Sequence, residues 1–477
     1  MVNRNRLLAA LPDWNLGLSA QRLVRYGIIG AVFGISLLLA VLGSQRLMLF
    51  VLLLIVALLG ALTLLRKLPL GLLAIIFTAF LAPSLVSSGT LSGLTPPLIL
   101  VGVMLGLWVV DMVARKRKIR FVRSRTLLPA VVFLVITLIS FLNGQINYFR
   151  FTQVAPLFAQ IGELAILMLS IGAFFVVAHL VEEIKWVERM TWLFIDLGAI
   201  YIFARLIPIT DHYIRPLFQY GSDASLFWVW LVALTSSQLF LNRQLSKRAR
   251  NFLVVLLGAT LYISLVPDYQ WKSGWLPSLV ALSLVSWFAF PRYRIAGVVV
   301  AALVAMASFF FIGRVATGGE DYSILTRVEA WRIILEIVKV NPLLGLGLSN
   351  YYWYTSLFPI LGYSVNFNSH NNYIDILAQM GLIGLACFLW LAWEVGRLGW
   401  ELHSIVPEGF PKAYVIGALA GLVGTLASGM LGDWILPFVY NVGLHGFRSS
   451  VMAWLFLGGL VALEQIYRNP QSSSAVE

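Results

Sequence analysis

Residues 157–180 read LFAQIGELAILMLSIGAFFVVAHL, an apolar run interrupted by one carboxylate, Glu163, and closed by His179. A helix rises about 1.5 Å per residue and a bilayer's hydrocarbon core is about 30 Å thick, so about 20 such residues cross it. Runs of the same kind lie near 26–43, 47–65, 70–88, 97–113, 127–142, 191–209, 226–241, 251–267, 276–290, 295–313, 374–393, 413–432 and 447–466. The whole chain agrees with this reading. Of its 477 residues 60% are hydrophobic and only 12% charged, with a mean hydropathy of +0.87. Soluble domains carry about 25% charged residues. No water-soluble fold hides so much apolar surface, whereas a bilayer acts as its solvent. The expected fold is all-α, a polytopic transmembrane bundle of about 14 spans with a long, partly helical external loop.

Lysine and arginine in the loops set the orientation. With the N-terminus inside, the cytoplasmic segments carry 24 of the 34 lysines and arginines. The densest is Arg115-Lys116-Arg117-Lys118-Ile119-Arg120, followed by Arg123 and Arg125. The net charge of +13 is therefore mostly a topology signal and not a nucleic-acid surface. Residues 1–25, with Arg4, Arg6, Arg22 and Arg25, form a basic cytoplasmic N-terminus leading into a retained signal anchor. Residues 26–466 form one membrane domain, and 467–477 a disordered cytoplasmic tail, so both termini lie inside. The single cysteine, Cys387, excludes a disulfide framework or a cysteine metal site. The five histidines, His179, His212, His370, His403 and His445, share no metal-ligand spacing. No phosphate-binding glycine loop or nucleophile elbow is present. No metal and no cofactor are expected.

The segment 314–373 then lies outside, and long loops in compact proteins are commonly functional. Its core from Ser323 to Val340 reads as an amphipathic helix, stopped by Asn341-Pro342, because proline disfavours helix at the residue before it. Gly345 and Gly347 follow, and would let the loop close over a site. Cations gather on this outer face, which the orientation rule would deplete: Arg215, Lys272, Arg327, Arg332 and Lys339, together with His370. Beside lipid headgroups such cations suit phosphate, arginine as a two-pronged donor and lysine as a point charge. Arg327 and Trp331 are four apart and share a helix face, while Arg332 points about 100° away from Trp331, so one of the two arginines faces the surface. His370, in Asn368-Ser369-His370-Asn371-Asn372-Tyr373, has an ordinary pKa near 6.5 and can exchange a proton at neutral pH. Glu163, Asp196 and Arg205 sit in or near spans, either as interhelical pairs or as lining of a substrate groove.

Taken in order, Arg327-x-x-x-Trp331, Asn341-Pro342-Leu343-Leu344-Gly345-Leu346-Gly347, Ser369-His370-Asn371-Asn372-Tyr373 and Gly381-x-x-Gly384-Leu385 resemble the O-antigen ligase and polymerase family. The resemblance covers roughly residues 255–395, about 140 of the 477. It implies a metal-independent, inverting glycosyltransferase of polysaccharide or lipopolysaccharide biosynthesis in the cell envelope, acting on the external, periplasmic side of the cytoplasmic membrane. The implied donor is a glycan on undecaprenyl pyrophosphate, and the acceptor a glycan, lipid or protein. The family's pyrophosphate-binding loop arginine matches Arg327, and its catalytic histidine matches His370. A second family arginine falls in Trp271-Lys272-Ser273-Gly274-Trp275, where this chain has Lys272; charge is kept and bidentate geometry is lost. Arg215 is an alternative second cation. Trp331, Arg332, Asn371 and Tyr373 complete the expected substrate-binding set. The shared elements serve ligase and polymerase alike.

Two other classes compete. A transporter or flippase for lipid-linked oligosaccharide suits the span count, but such proteins show internal repeats and midplane ionisable groups. Here the cations collect at one outer face. A polyprenyl-monophosphate-sugar glycosyltransferase would place a carboxylate in its first external loop, which here reads Gly43-Ser44-Gln45-Arg46.

Overall fold

The computed structural model describes residues 60, 67–82, 86–87, 93–115, 117, 121–218, 221–295 and 322–468. The expected spans at 26–43, 47–65 and 295–313, most of the basic run 115–120, residues 314–321 and the two tails lie wholly or almost wholly outside them. The chain is a polytopic helical membrane protein. Its described helices are α1 (Pro69–Leu81), α2 (Pro96–Val110), α3 (Leu127–Asn143), α4 (Leu157–Leu180), α5 (Ile184–Arg205), α6 (Pro208–Phe218) and α7 (Ser225–Leu241). They continue with α8 (Lys247–Leu265), α9 (Lys272–Ala289), α10 (Tyr322–Val338), α11 (Asn350–Tyr354), α12 (Asn372–Ile405), α13 (Phe410–Gly429) and α14 (Gly443–Arg468). A two-stranded antiparallel ribbon pairs Val86 with Leu94 and Ser87 with Gly93. Among the described residues six helices are long and apolar enough to cross a membrane, including α4, α12, α13 and α14; α3 and α7 are apolar but shorter.

Hydropathy finds these helices but does not rank them by depth. A helix apolar on every side belongs inside a bundle. That describes α14, whose apolar stretch is wholly buried, and α7, buried from Ser225 through Leu239. α14 packs most extensively on α4, and α7 on α9 and α13. The α14–α4 approach is set by Gly458, where an added Cβ would sit 2.5 Å from the Phe174 carbonyl oxygen. Small residues at such crossings let helix backbones close up without lipid between them.

Three helices differ from the apolar runs that announce them. α1 has 13 residues, about 20 Å of helix, shorter than a bilayer core. The run 191–209 is the second part of α5, which begins at Ile184; the chain then turns, and Pro208 opens the separate amphipathic α6. α12 continues past its apolar run to Ile405, because Glu394, Glu401 and Arg397 are satisfied by ion pairs. Glu394 and Glu401 take Arg125 at 3.4 and 2.5 Å, and Glu401 also takes Arg468 at 2.6 Å. This charged cluster marks one end of the bundle. The starts of α12 and α14 mark the other.

At that other end α12 is broken at Gly381, whose backbone (φ 69°, ψ −171°) is not helical. The break exposes backbone groups, and the 341–347 segment supplies their partners. Leu382 N donates to Pro342 O (2.9 Å), Leu346 N to Ala378 O (2.9 Å) and Gly347 N to Gln379 O (3.0 Å). Asn143 adds a bond to Gly345 O, and Ser140 one to Gln379 O. Gly345 and Gly347 are thus docked against α3 and α12, where the sequence suggests a hinge.

Candidate active site

α10 lies over this end of the bundle. Ala330, Ile333, Ile334, Ile337 and Val338 bury their side chains against Tyr351, Tyr354, Ala378 and Phe438. The opposite face carries the ion pairs Arg332–Glu329 and Lys339–Glu336, both 2.7 Å and largely exposed. The amphipathic period therefore turns Arg327 and Trp331 inward and Arg332 outward. Arg327 Nη1 donates to the Leu431 carbonyl (3.1 Å), and Trp331 Nε1 donates to the Ser369 carbonyl (2.7 Å).

His370 sits between two fixed neighbours. The Ser369 hydroxyl lies 2.7 Å from Asp375 Oδ1 and 2.8 Å from the Asn371 carbonyl, and accepts from Asn371 N at 2.9 Å. The Asn371 side chain caps α12, accepting from Tyr373 N and Ile374 N. Asn372 bridges both ways to the 430–442 loop, donating to Leu436 O and accepting from Ile435 N. With both flanks pinned, His370 takes φ +48°, a left-handed conformation. Such strain costs a non-glycine residue about 1–3 kcal/mol and persists where the surroundings over-determine it, which is common at active sites.

The imidazole faces the loop between α13 and α14. Asn441 Nδ2 lies 3.2 Å from His370 Nδ1 and 2.6 Å from Asp433 Oδ1, while Asp433 Oδ2 accepts from Phe438 N at 2.9 Å. Burial lowers the His370 pKa; the Asp433 carboxylate works the other way and the Arg327 guanidinium adds to the lowering. Burial also raises Asp433 above the usual carboxylate range. The imidazole is therefore held neutral at neutral pH, within electrostatic reach of both a cation and a carboxyl group.

The rest of the network holds this corner rigid. Tyr351, fully buried, donates its hydroxyl to Asp375 and stacks on Phe438 at 5.0 Å. Tyr352 stacks on Tyr440 at 4.4 Å, and Trp353 Nε1 donates to the Tyr440 hydroxyl. Glu163 is buried in α4, accepting from Val439 N (2.8 Å) and Gln379 Nε2 (3.2 Å). It buttresses the 430–442 loop and is neither paired with Arg205 nor open to solvent. Asp196 is exposed on α5.

The expected residues divide into groups. His370, Arg327 and Trp331 come together directly, and Asn371 and Tyr373 hold the start of α12, Tyr373 through a bond to Leu426 O. Lys272 opens α9, and its neighbour Trp271 packs edge-on against Trp434 at 6.3 Å, which brings this turn to the loop carrying Asp433. Arg215 pairs with Asp211 (2.8 Å), which also binds Arg205, itself bidentate to Asp268 at 2.7 and 3.1 Å. That chain ties α6 to the turn before Lys272. Arg332 points away. Asp433 and Asn441 are absent from the sequence reading. They lie some sixty residues and more beyond His370, in a loop that reads as an apolar gap between two spans; a carboxylate there, on the same side as His370, is the one available signal.

Residues 252–389 match the family model described as O-antigen ligase. The matched segment runs from α8 into α12 and holds Lys272, Arg327, Trp331 and His370; Arg215, Asp433 and Asn441 fall outside it. A comparison with curated proteins finds no match.

Proposed function

We propose that this chain is a membrane glycosyltransferase that takes a glycan from undecaprenyl pyrophosphate and joins it to an acceptor hydroxyl, as an O-antigen ligase or polymerase does. The observation that carries the reading is the strained, neutral His370 within reach of Arg327 and the Asn441–Asp433 pair, inside the segment that matches the O-antigen ligase family. The bundle's opposite end carries the Arg125, Arg397 and Arg468 cluster. Positive charge favours the cytoplasmic side, so His370 faces outward, into the periplasm of a bacterial inner membrane, with both termini inside.

In this reaction the acceptor oxygen attacks the anomeric carbon as the bond from that carbon to the pyrophosphate oxygen breaks. His370 Nε2 takes the hydroxyl proton. The pyrophosphate leaves on its lipid with its charge met by Arg327, and by Lys272 as a point charge; fixed donors aimed at developing charge are the main source of such stabilisation. Attack from the far side inverts the anomeric centre. Trp331 holds the Ser369 carbonyl and Asn371 and Tyr373 the start of α12, so these three act by fixing where His370 points. Arg332 and Arg215, at the exposed rim, meet headgroups or the glycan.

The test is incubation of the lipid-reconstituted protein with a synthetic undecaprenyl-pyrophosphate oligosaccharide and candidate glycan, lipid or protein acceptors. General-base help is worth about 10²- to 10⁴-fold, so His370→Ala is expected to lose at least about 100-fold in pyrophosphate release. A product ladder identifies a polymerase and a single capped product a ligase. Movement of the intact lipid-linked glycan across the bilayer without release overturns the proposal.

A further inference from the structure

We propose that Asn441 relays the protonation state of Asp433 to His370, so that His370 serves as a base only while Asp433 holds a proton. The inference rests on the reading of His370 as the general base.

One atom makes both contacts. The same end of the Asn441 amide lies 2.6 Å from Asp433 Oδ1 and 3.2 Å from His370 Nδ1. With the neutral imidazole, and with Oδ2 of Asp433 kept as the acceptor of Phe438 N so that any carboxyl proton sits on Oδ1 and points at the amide, two proton arrangements satisfy both contacts at once. In the first, the amide NH2 faces them. It donates to an ionised Asp433 and to the lone pair of Nδ1, so the neutral imidazole carries its proton on Nε2 and offers the acceptor a donor, not a base. In the second, the amide is turned by 180° and its oxygen faces both groups. That oxygen accepts from a protonated Asp433 and from Nδ1–H, leaving the Nε2 lone pair open. A mixed state would set the amide oxygen against a carboxylate oxygen at 2.6 Å, or an N–H against an N–H. The amide thus couples the tautomer of His370 to a proton some two side chains away. Asp433 cannot do this directly, because its second oxygen is taken by Phe438 N.

Burial of both groups, and Arg327 beside His370, favour the working arrangement. Arg327 faces His370 from α10 and disfavours a second proton on it. Asp433 lies within electrostatic reach of Asp375 on α12, Glu163 on α4 and Tyr351 on α11, besides His370 itself. Burial favours the protonated carboxyl, against the Phe438 N–H, the Asn441 amide and His370, which favour its charged form. The base form exists above the His370 pKa and below that of Asp433. Lowering the first and raising the second opens the same window. Activity then falls on the acid side as His370 gains a second proton, and on the alkaline side as Asp433 ionises.

Two readouts test this on the full-length protein in lipid nanodiscs. The first is the 15N ring shifts of labelled histidine, with His370→Gln identifying the His370 signals; it needs no substrate. Wild type is expected to move from Nδ1–H to Nε2–H as pH rises. Asp433→Asn keeps the bond to Phe438 N and donates permanently to the Asn441 oxygen, so it is expected to stay Nδ1–H throughout. Asn441→Ala, at an exposed position, is expected to lose the pH-linked switch. The second readout is pyrophosphate release against pH, in which Asp433→Asn is expected to lose the alkaline limb of the profile. A wild-type tautomer that does not change with pH, or an Asn441→Ala switch identical to wild type, overturns the relay even if Asp433→Asn does not fold. A tautomer switch in a protein that releases no pyrophosphate upholds the relay and overturns the transferase reading instead.

Discussion

Gly381→Ala attacks the joint on which the site rests. Its backbone, φ 69° and ψ −171°, lies in a region that is essentially glycine's alone. The new Cβ would fall 2.1 Å from Leu343 O, 2.3 Å from Leu343 C and 2.6 Å from Gly345 N, all backbone atoms with no rotamer to escape through. Backbone strain costs about 1–3 kcal/mol. Relieving the clash means lifting the 341–347 segment off α12, which breaks the bonds Leu382 N→Pro342 O and Leu346 N→Ala378 O. Each broken bond leaves a buried group unpaired at about 1–3 kcal/mol, so with the strain the sum is about 3–9 kcal/mol. The assay is the thermal midpoint of the detergent-purified protein, followed by tryptophan fluorescence. Gly396→Ala is the control. It lies on the same helix, and its Cβ would meet only Leu422 Cδ2 at 3.5 Å, an ordinary contact. That variant should hold or gain slightly, since alanine is favoured over glycine in a helix by about 1 kcal/mol. Gly381→Ala should unfold several degrees lower and release pyrophosphate more slowly. Equal midpoints for the two variants would refute the account of the break.

Three other outcomes follow from the same geometry. Arg327→Lys keeps the charge and loses the planar fork, so it should weaken donor turnover, while Arg332→Ala, an exposed arginine paired with the half-buried Glu329, should stay within about twofold of wild type because solvent screens such a surface pair; equal losses in pyrophosphate-release kinetics would contradict the inward and outward assignment. Tyr351→Phe removes a hydrogen bond from buried Asp375, whose Oδ2 has no hydrogen-bond partner among the described residues; a loss of about 1–3 kcal/mol should appear in the thermal midpoint together with a lower kcat. The acid limb of the rate profile should lie below pH 6.5, since burial and Arg327 lower the His370 pKa and the neutral ring persists until pH falls through that value; Arg327→Gln removes the cation and should move the limb to higher pH.

The helical membrane fold was legible because hydropathy is a one-dimensional property: each expected span that falls among the described residues contains a helix, although the run 70–88 is helical only to Leu81 and then enters the ribbon. What hydropathy misses is partnership. The run at 374–393 undercounts α12 because Glu394 and Glu401 look like an exit from the membrane until Arg125 and Arg468 are placed against them. The glycines at 345 and 347 read as freedom, yet Gly347 is fixed by the Gln379 carbonyl of α12, which the break at Gly381 makes available, and Gly345 by Asn341 O and the Asn143 amide. His370, Arg327 and Trp331 could be picked out locally, and helical spacing alone put Arg327 and Trp331 on one face. Asp433 and Asn441 could not, because nothing in Met430-Leu431-Gly432-Asp433-Trp434-Ile435-Leu436 distinguishes a buried, partnered carboxyl from a loop acid.

The arrangement also explains why so much polar chemistry is buried at one end of so apolar a protein. Glu163 and Asp375 each accept a bond from a residue of another segment, Val439 N and the Tyr351 hydroxyl, while Asp433 accepts from Phe438 N and the Asn441 amide within its own loop. Removing a buried carboxyl's partner is costly, since the polar atom stays buried with nothing to replace it. Glu163 ties the loop 430–442 to α4, Asp375 ties 368–371 to α12, and Gln379 of α12 accepts from Ser349 N to hold 341–349. A histidine in a left-handed conformation needs that rigidity, because the strain of φ +48° would otherwise relax by swinging the ring away from Arg327. The buried carboxyls therefore serve the site twice, as staples for its loops and, in Asp433, as the group that sets which ring nitrogen of His370 is free.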